Sequence, residues 1–197
     1  MLTWDDERGY GHYPVKQEGR PYDASYFEKY RKMANTPIGH ALTKARVDLV
    51  RKYYPGFNLV DVGIGSGQFV TASGMLGYDV NPTGIEWLNQ RNRFADMYIG
   101  QYDAMTFWDS LEHIDDMSAA VQHIDRFAFV SIPVFNGYDD VLASKHFRPD
   151  EHIHYFTVAG LIRWFDEQGF NCREYNQIES DIGREGIGTF VFERKPA

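Results

Sequence analysis

The run Leu59-Val60-Asp61-Val62-Gly63-Ile64-Gly65-Ser66-Gly67-Gln68-Phe69 decides the fold. A short apolar segment starting near Phe57 ends at Val62 and passes straight into three glycines at alternate positions. An apolar run of this length, closed by turn residues, reads as a strand buried in a parallel sheet. The glycines permit a tight turn and admit a ligand where a Cβ would clash. A helix opening at Gly67 would aim its unpaired N–H groups at whatever occupies the turn. Working outward, Met75 to Val80 reads as a second strand, with Asp79 near its end. In a doubly wound sheet, an acid there accepts hydrogen bonds from both ribose hydroxyls. Turn and acid together read as a nucleoside-cofactor site.

The bulk numbers narrow the partners. With 197 residues and 43% apolar content, one domain with a substantial core is the expectation. Twenty Lys plus Arg against 28 acids give a formal charge of −8, which disfavours gripping a phosphate backbone and favours a small molecule over nucleic acid. The single cysteine, Cys172, excludes an internal disulfide and points to a reducing, cytoplasmic setting. The segment Met1–Glu7 has neither the basic start nor the apolar run of a secretory signal. No stretch approaches the ~20 apolar residues that span a bilayer.

Further readings follow from periodicity and caps. Residues 1 to about 21 lack a sustained period and read as an irregular leader, drape or lid. Tyr22 to Lys32 reads as a helix with Tyr26, Phe27 and Tyr30 on one face, either a core stripe or a pocket wall. Thr36-Pro37 starts a helix running to about Tyr54, with Arg46 near its apolar face. Asn81-Pro82 starts another, to about Arg93, and Ala95 to Ile99 holds at most a vestigial strand. Tyr102 to Trp108 and Arg126 to Pro133 read as strands flanking a helix over Asp115 to His123. Residues 134 to 150 read as a long loop, Thr157 as the N-cap of a helix ending at Gly169, and Phe170–Ile178 and Gly188–Arg194 as two more strands.

The spacing Gly63-x-Gly65-x-Gly67 departs from the Gly-x-Gly-x-x-Gly of nicotinamide enzymes. Val60 to Gly67 instead resembles the first motif of class I S-adenosylmethionine-dependent methyltransferases. Gly77 to Pro82 resembles their second motif, and Tyr102 to Ile114, with Leu111-Glu112-His113, their fourth. The resemblance covers roughly residues 36 to 194. It implies a single-domain, Rossmann-like doubly wound α/β fold with a mostly parallel sheet and a reversed last strand. Residues 1–35 would be leader and cap helix, and 36–197 the methyltransferase domain. It further implies S-adenosyl-L-methionine as cofactor, held by Asp61, Gly63, Gly65, Gly67, Asp79, Trp108 and Asp109. The reaction implied is methyl transfer to an O or N atom of a small-molecule or sugar-like acceptor. The stretch after Asp79 is shorter than the family's, and no adenine-contacting residue is named.

Methyl transfer from a sulfonium is an in-line displacement that needs alignment first, and a base only if the acceptor arrives protonated. Glu112, His113 and His154 are the residues read as catalytic, with His113 as a neutral base near pH 7. Two readings stand beside this one. Asp109, Glu112, His113 and one of His152 or His154 could bind a divalent ion, or Glu112 and His113 could simply brace the turn. Similar Glu-His segments occur in ubiquinone-pathway O-methyltransferases and, with metal, in small-RNA 2′-O-methyltransferases. The rival functions are a metal-assisted RNA 2′-O-methyltransferase, a non-catalytic scaffold on the same fold, and a nicotinamide oxidoreductase.

Overall fold

The computed structural model describes residues 1–14 and 22–196. A hairpin, β1 (Thr3–Asp5) and β2 (Tyr10–His12), precedes helices α1 (Ala24–Ala34) and α2 (Pro37–Tyr53). Next come β3 (Leu59–Val62), α3 (Gln68–Ser73), β4 (Leu76–Tyr78) and α4 (Pro82–Asn89). The second half has β5 (Tyr102–Trp108), a 3-10 turn over Leu111–His113, α5 (Met117–Val121), β6 (Ile124–Phe135) and α6 (Tyr138–Ala143). Then follow β7 (His154–Thr157), α7 (Val158–Glu167), β8 (Phe170–Asn176), α8 (Ile178–Ile182) and β9 (Ile187–Arg194).

The main sheet runs β4-β3-β5-β6-β9-β8. β3 sits between β4 and β5 and is parallel to both, and β5 is parallel to β6. β9 runs antiparallel to both β6 and β8. This is the doubly wound sheet with a reversed last strand that the sequence implies. Alternation along the strands builds two apolar layers. Val60, Val62, Met105, Phe107, Val130, Phe190 and Phe192 pack on one face against Leu161 and Phe165 of α7. Leu59, Ala104, Phe127, Phe129 and Val191 pack on the other against Val50 and Tyr54 at the end of α2.

The helix starts read from the sequence are built as expected. Thr36 caps α2 by accepting from the Gly39 N–H at 3.1 Å, and Asn81 caps α4 by accepting from the Thr83 N–H at 3.0 Å. Thr157 caps α7, accepting from Gly160 N–H at 2.9 Å. α4 ends at Asn89, short of Arg93, and α5 is confined to Met117–Val121 by its N-cap Asp116. In place of a strand over Ala95–Ile99 there is one parallel bridge, Phe94 with Gly77, followed by turns.

Two expectations fail, and a strand with no counterpart in the sequence reading is added, each in a short segment that gains structure from distant partners. Residues 1–14 of the leader form a hairpin rather than irregular chain, because β2 pairs with β7. The rest of the leader reading, over residues 15–21, falls outside the described residues. The 134–150 loop is shortened at its start, where β6 continues to Phe135 and α6 follows. His154–Thr157 is a strand in its own right, pairing with the last two residues of β6. No helix among the described residues is long and apolar enough to cross a membrane.

The hairpin is seated on α7 at a glycine. Gly9 carbonyl accepts the Thr157 N–H at 2.9 Å, and the same peptide lies against Gly160. A Cβ on Gly160 would come within 2.7 Å of the Gly9 carbonyl carbon and 2.9 Å of the Arg8 oxygen, both backbone atoms that cannot swing away. Gly160→Ala should therefore lower stability by about 2 kcal/mol and free the hairpin. Urea unfolding and the rate of limited proteolysis within residues 1–14 check this.

Candidate active site

The turn after β3 requires its glycines. Gly63, Gly65 and Gly67 have φ of 75°, 54° and 72°, a region disfavoured for residues with a Cβ. A Cβ on Gly67 would also meet the Trp87 ring at 2.5 Å, and one on Gly63 would meet Ser110 Cβ at 2.8 Å. The turn is thus pressed between α4 and the segment leaving β5. Asp79 lies beside it, its Oδ1 accepting from Asn81 N–H at 2.8 Å. Burial raises the Asp79 carboxyl, while the N–H groups of Asn81, Val80, Ile64 and Gly65 favour its charged form. Glycine turn and acid face each other, as the sequence implies.

α1 covers this arrangement. The Tyr30 ring stands 3.4 Å from where a Gly65 Cβ would be, and the Tyr26 and Tyr30 hydroxyls are 3.1 Å apart. Asn81 Nδ2 donates to the Asp23 carbonyl at 2.9 Å, tying the start of α1 to the start of α4. Burial raises the Tyr22 hydroxyl above its ordinary value. Of the two readings of the aromatic face, Phe27 serves the core against Trp87, and Tyr30 serves the turn.

Asp61 forms the floor. It is buried, accepts from Thr106 Oγ1 at 2.6 Å, and is pushed up to about 7 by burial, against the opposing effects of Thr106 and Arg46. Between the ordinary carboxyl value of 3.8 and about 7, the folded protein keeps a proton that the unfolded chain releases. The stabilisation from this site is full below the lower value and lost as pH rises through the upper, a swing of about 4 kcal/mol. Asp61→Asn should flatten that loss. The variant's urea midpoint should fall less than wild type's between about pH 4 and pH 7.5.

Behind the floor lies a charge cluster that the sequence does not reveal. Asp109 has φ 56°, unusual for a residue with a Cβ. Arg184 grips it with both terminal nitrogens, Nη2 to Oδ1 at 2.8 Å and Nη1 to Oδ2. Arg184 Nη1 also donates to Glu179 Oε2 at 2.7 Å. Arg46 completes the group with Nε and Nη2 on Glu179 at 2.7 and 2.8 Å and a longer 3.5 Å contact to Asp109. Burial alone would raise Asp109, but Arg184 and Arg46 outweigh it and hold the carboxyl below the usual range. Arg46, near the apolar face of α2, thus meets two carboxylates. Glu179 and Arg184 were missed because they lie in a polar stretch between strands, with no periodicity or spacing to mark them. Trp108 packs on Phe69 at 5.6 Å between ring centroids, beneath the Arg46 guanidinium. Glu179→Gln would leave two half-buried guanidinium groups sharing one carboxylate. Chemical denaturation should register a loss of about 3 kcal/mol or more.

The turn from β5 brings the remaining candidates together. Glu112 is 1% exposed and neither carboxyl oxygen has a partner; Ser110 Oγ and Trp108 Nε1 are likewise buried without one. Burial and the Asp109 charge hold Glu112 well above the usual carboxylate range. His113 gives its Nδ1–H to the Glu151 carbonyl at 2.8 Å, which leaves Nε2 as a free lone pair. His152 stands edge-on to it, with ring centroids 4.7 Å apart. Burial lowers both imidazoles, His152 to about 3 with help from His113 and Arg148.

His154 departs from the catalytic reading. Its Nε2 donates to the Ile114 carbonyl at 2.9 Å and its Nδ1 accepts from the Tyr10 hydroxyl at 2.8 Å, so no nitrogen is left for a substrate. It pins the N-terminal hairpin to the sheet. Asp109 likewise departs from the ligand set read for a metal, because Arg184 engages both its oxygens. A cavity of about 450 Å³ lies elsewhere, between the hairpin and α7, lined by residues including Trp4, Tyr10, Arg163 and Trp164.

A parallel sheet with a glycine turn opposite an acid, closed by a reversed strand, defines a Rossmann-like methyltransferase fold of class I. A family model described as a methyltransferase domain matches residues 26–175, and the chain belongs to that family. A search of the curated proteins finds no match. Several solved structures share the fold. The magnesium protoporphyrin IX methyltransferase of Synechocystis PCC 6803, with SAH bound, is 16% identical with a TM-score of 0.61, over 88% of this chain and 96% of that one. A possible histamine N-methyltransferase of Thermotoga maritima is 14% identical with a TM-score of 0.62, over 87% and 97%. The 1,6-didemethyltoxoflavin-N1-methyltransferase of Burkholderia thailandensis, bound to its namesake compound and S-adenosylhomocysteine, is 11% identical with a TM-score of 0.58, over 99% of both chains.

Proposed function

We propose that this methyltransferase moves the methyl group of S-adenosylmethionine to an oxygen or nitrogen atom of a small-molecule or sugar-like acceptor. The observation that carries the reading is the convergence of three features on one cleft under α1. They are the Gly63–Gly67 turn, the facing Asp79, and the buried, unpartnered Ser110 and Glu112. Gly63, Gly65 and Gly67 let the cofactor approach the backbone, Asp79 receives the ribose diol, and buried Asp61 holds the strand end from below. Tyr30 closes over the turn and excludes water from the sulfonium. The transfer is an in-line displacement, so the cleft's first task is to align acceptor, methyl and sulfur. Glu112 and His113 are the groups placed to activate the acceptor, since His113 keeps a lone pair and Glu112 has no other partner. The relatives with SAH or S-adenosylhomocysteine bound support the choice of cofactor, and the compounds in the relatives' names support a small acceptor. The charge of −8 speaks against a nucleic acid in that role.

Calorimetric titration with S-adenosylhomocysteine tests the reading. Wild type should bind in the micromolar range, and Asp79→Ala should weaken binding at least about tenfold by removing charge-assisted hydrogen bonds. No binding by the wild type would favour a scaffold role for the fold.

A further inference from the structure

We propose that Glu112, His113 and His152 form a binding site for one divalent first-row transition-metal ion, and that this ion holds the acceptor oxygen. The second half of this proposal rests on the methyl-transfer reading; the first half stands on geometry alone. One ligand atom from each of the three side chains lies within 4.8 Å of the other two. Bonds of about 2.1 Å to one ion would place neighbouring ligand atoms about 3 to 3.5 Å apart, so small side-chain rotations close the set. The two imidazoles stand edge to face at 88°, with ring centroids 4.7 Å apart.

Each group is prepared for a cation in a separate way. The Glu151 carbonyl takes the Nδ1–H of His113, fixing the tautomer that presents Nε2 as a donor atom. Such a second partner is the usual companion of a metal-bound imidazole. His152 brings a ring nitrogen into the same group of ligand atoms. Glu112 is the decisive member, because a carboxyl group 1% exposed with both oxygens unpartnered is costly unless something positive meets it. The guanidinium groups nearby do not serve, since Arg184 and Arg46 are engaged by Asp109 and Glu179, and Arg148 pairs with Glu151 at 2.9 Å. The backbone holds the set in place. Ile153 N–H donates to the Glu112 carbonyl at 2.9 Å and His152 N–H to the Arg148 carbonyl at 2.7 Å, which locks the 3-10 turn to the segment entering β7.

The donor set selects the ion. Two imidazoles and one carboxylate suit iron, cobalt, nickel or zinc, whereas magnesium and calcium prefer all-oxygen shells. Three protein ligands leave coordination positions open, as a site that must also take substrate requires. An acceptor hydroxyl bound there loses its proton to solvent. Its oxygen then forms the new bond to the methyl carbon as the carbon–sulfur bond breaks and its electron pair passes to the sulfur. The product ether is a weaker ligand and leaves.

The test is a Co²⁺ titration of chelator-stripped protein, followed by visible absorption, with S-adenosylhomocysteine calorimetry on the same samples. Wild type should bind one equivalent with d–d bands, Zn²⁺ should displace it, and Mg²⁺ should not. Glu112→Gln and His152→Gln should each weaken Co²⁺ binding at least about tenfold while retaining S-adenosylhomocysteine affinity. As a readout independent of any variant, Zn²⁺ but not Mg²⁺ should raise the wild-type unfolding temperature. The site is overturned if wild type takes up neither ion at about 1 mM, or if both folded variants bind like wild type. Loss of metal binding in the variants, in a protein that never binds S-adenosylhomocysteine, would leave the metal site standing and remove the methyl-transfer reading.

Discussion

Four charged side chains, two of each sign, hold the active-site half of the molecule in register. Arg46 comes from α2, Asp109 from the end of β5, Glu179 from α8, and Arg184 from the turn before β9. Their charges sum to zero, and each carboxylate meets two guanidinium groups. A quartet of this kind, with Glu179 buried and the other three half-buried, adds little net stability compared with an apolar replacement, yet removing one member leaves the others uncompensated. Its effect is therefore on conformation. By gripping Asp109, Arg184 holds the backbone at a φ of 56°, and that single residue turns the chain from β5 into the 3-10 turn. The direction of Glu112 and His113 follows from that bend.

Much of this was legible in the sequence wherever a local rule sufficed. The buried strand before Gly63, the three positive-φ glycines, the facing Asp79 and the caps at Thr36, Asn81 and Thr157 are each properties of a few consecutive residues. The reversed last strand came from the resemblance to class I methyltransferases, not from a local rule. What escaped was long-range. Arg46 and Glu179 are 133 positions apart, and Tyr10 and His154 are 144 apart. No periodicity links such pairs. His154 illustrates the difficulty, because a histidine in a His-x-His pair carries the same local signature whether it faces substrate or pins a strand. Only its two occupied nitrogens separate these roles.

The cleft shows the complementary situation. Among the described residues, other buried side-chain polar atoms find partners, as Thr106 does with Asp61 and Ser131 with Thr189. Among the described residues, the buried side-chain atoms left without partners, on Trp108, Ser110 and Glu112, fall within five consecutive residues where β5 ends and the turn begins. Structural braces are normally satisfied by the chain they brace. Unsatisfied groups gathered beside a glycine turn and two imidazoles are better explained by what the turn receives.

The N-terminal hairpin bears on how the molecule assembles. β2 has no neighbour besides β1 until β7 is present, and its partners Phe156, Tyr155 and His154 lie more than 140 positions downstream. Closing so long a loop is entropically expensive, and contacts of that separation slow the approach to the native state. Residues 3–12 therefore dock late, onto a sheet whose parallel centre has already condensed. On the ribosome they remain a tethered, unpaired ribbon until residue 157 has left the exit tunnel, and the two tryptophan-bearing faces, Trp4 and Trp164, meet only then.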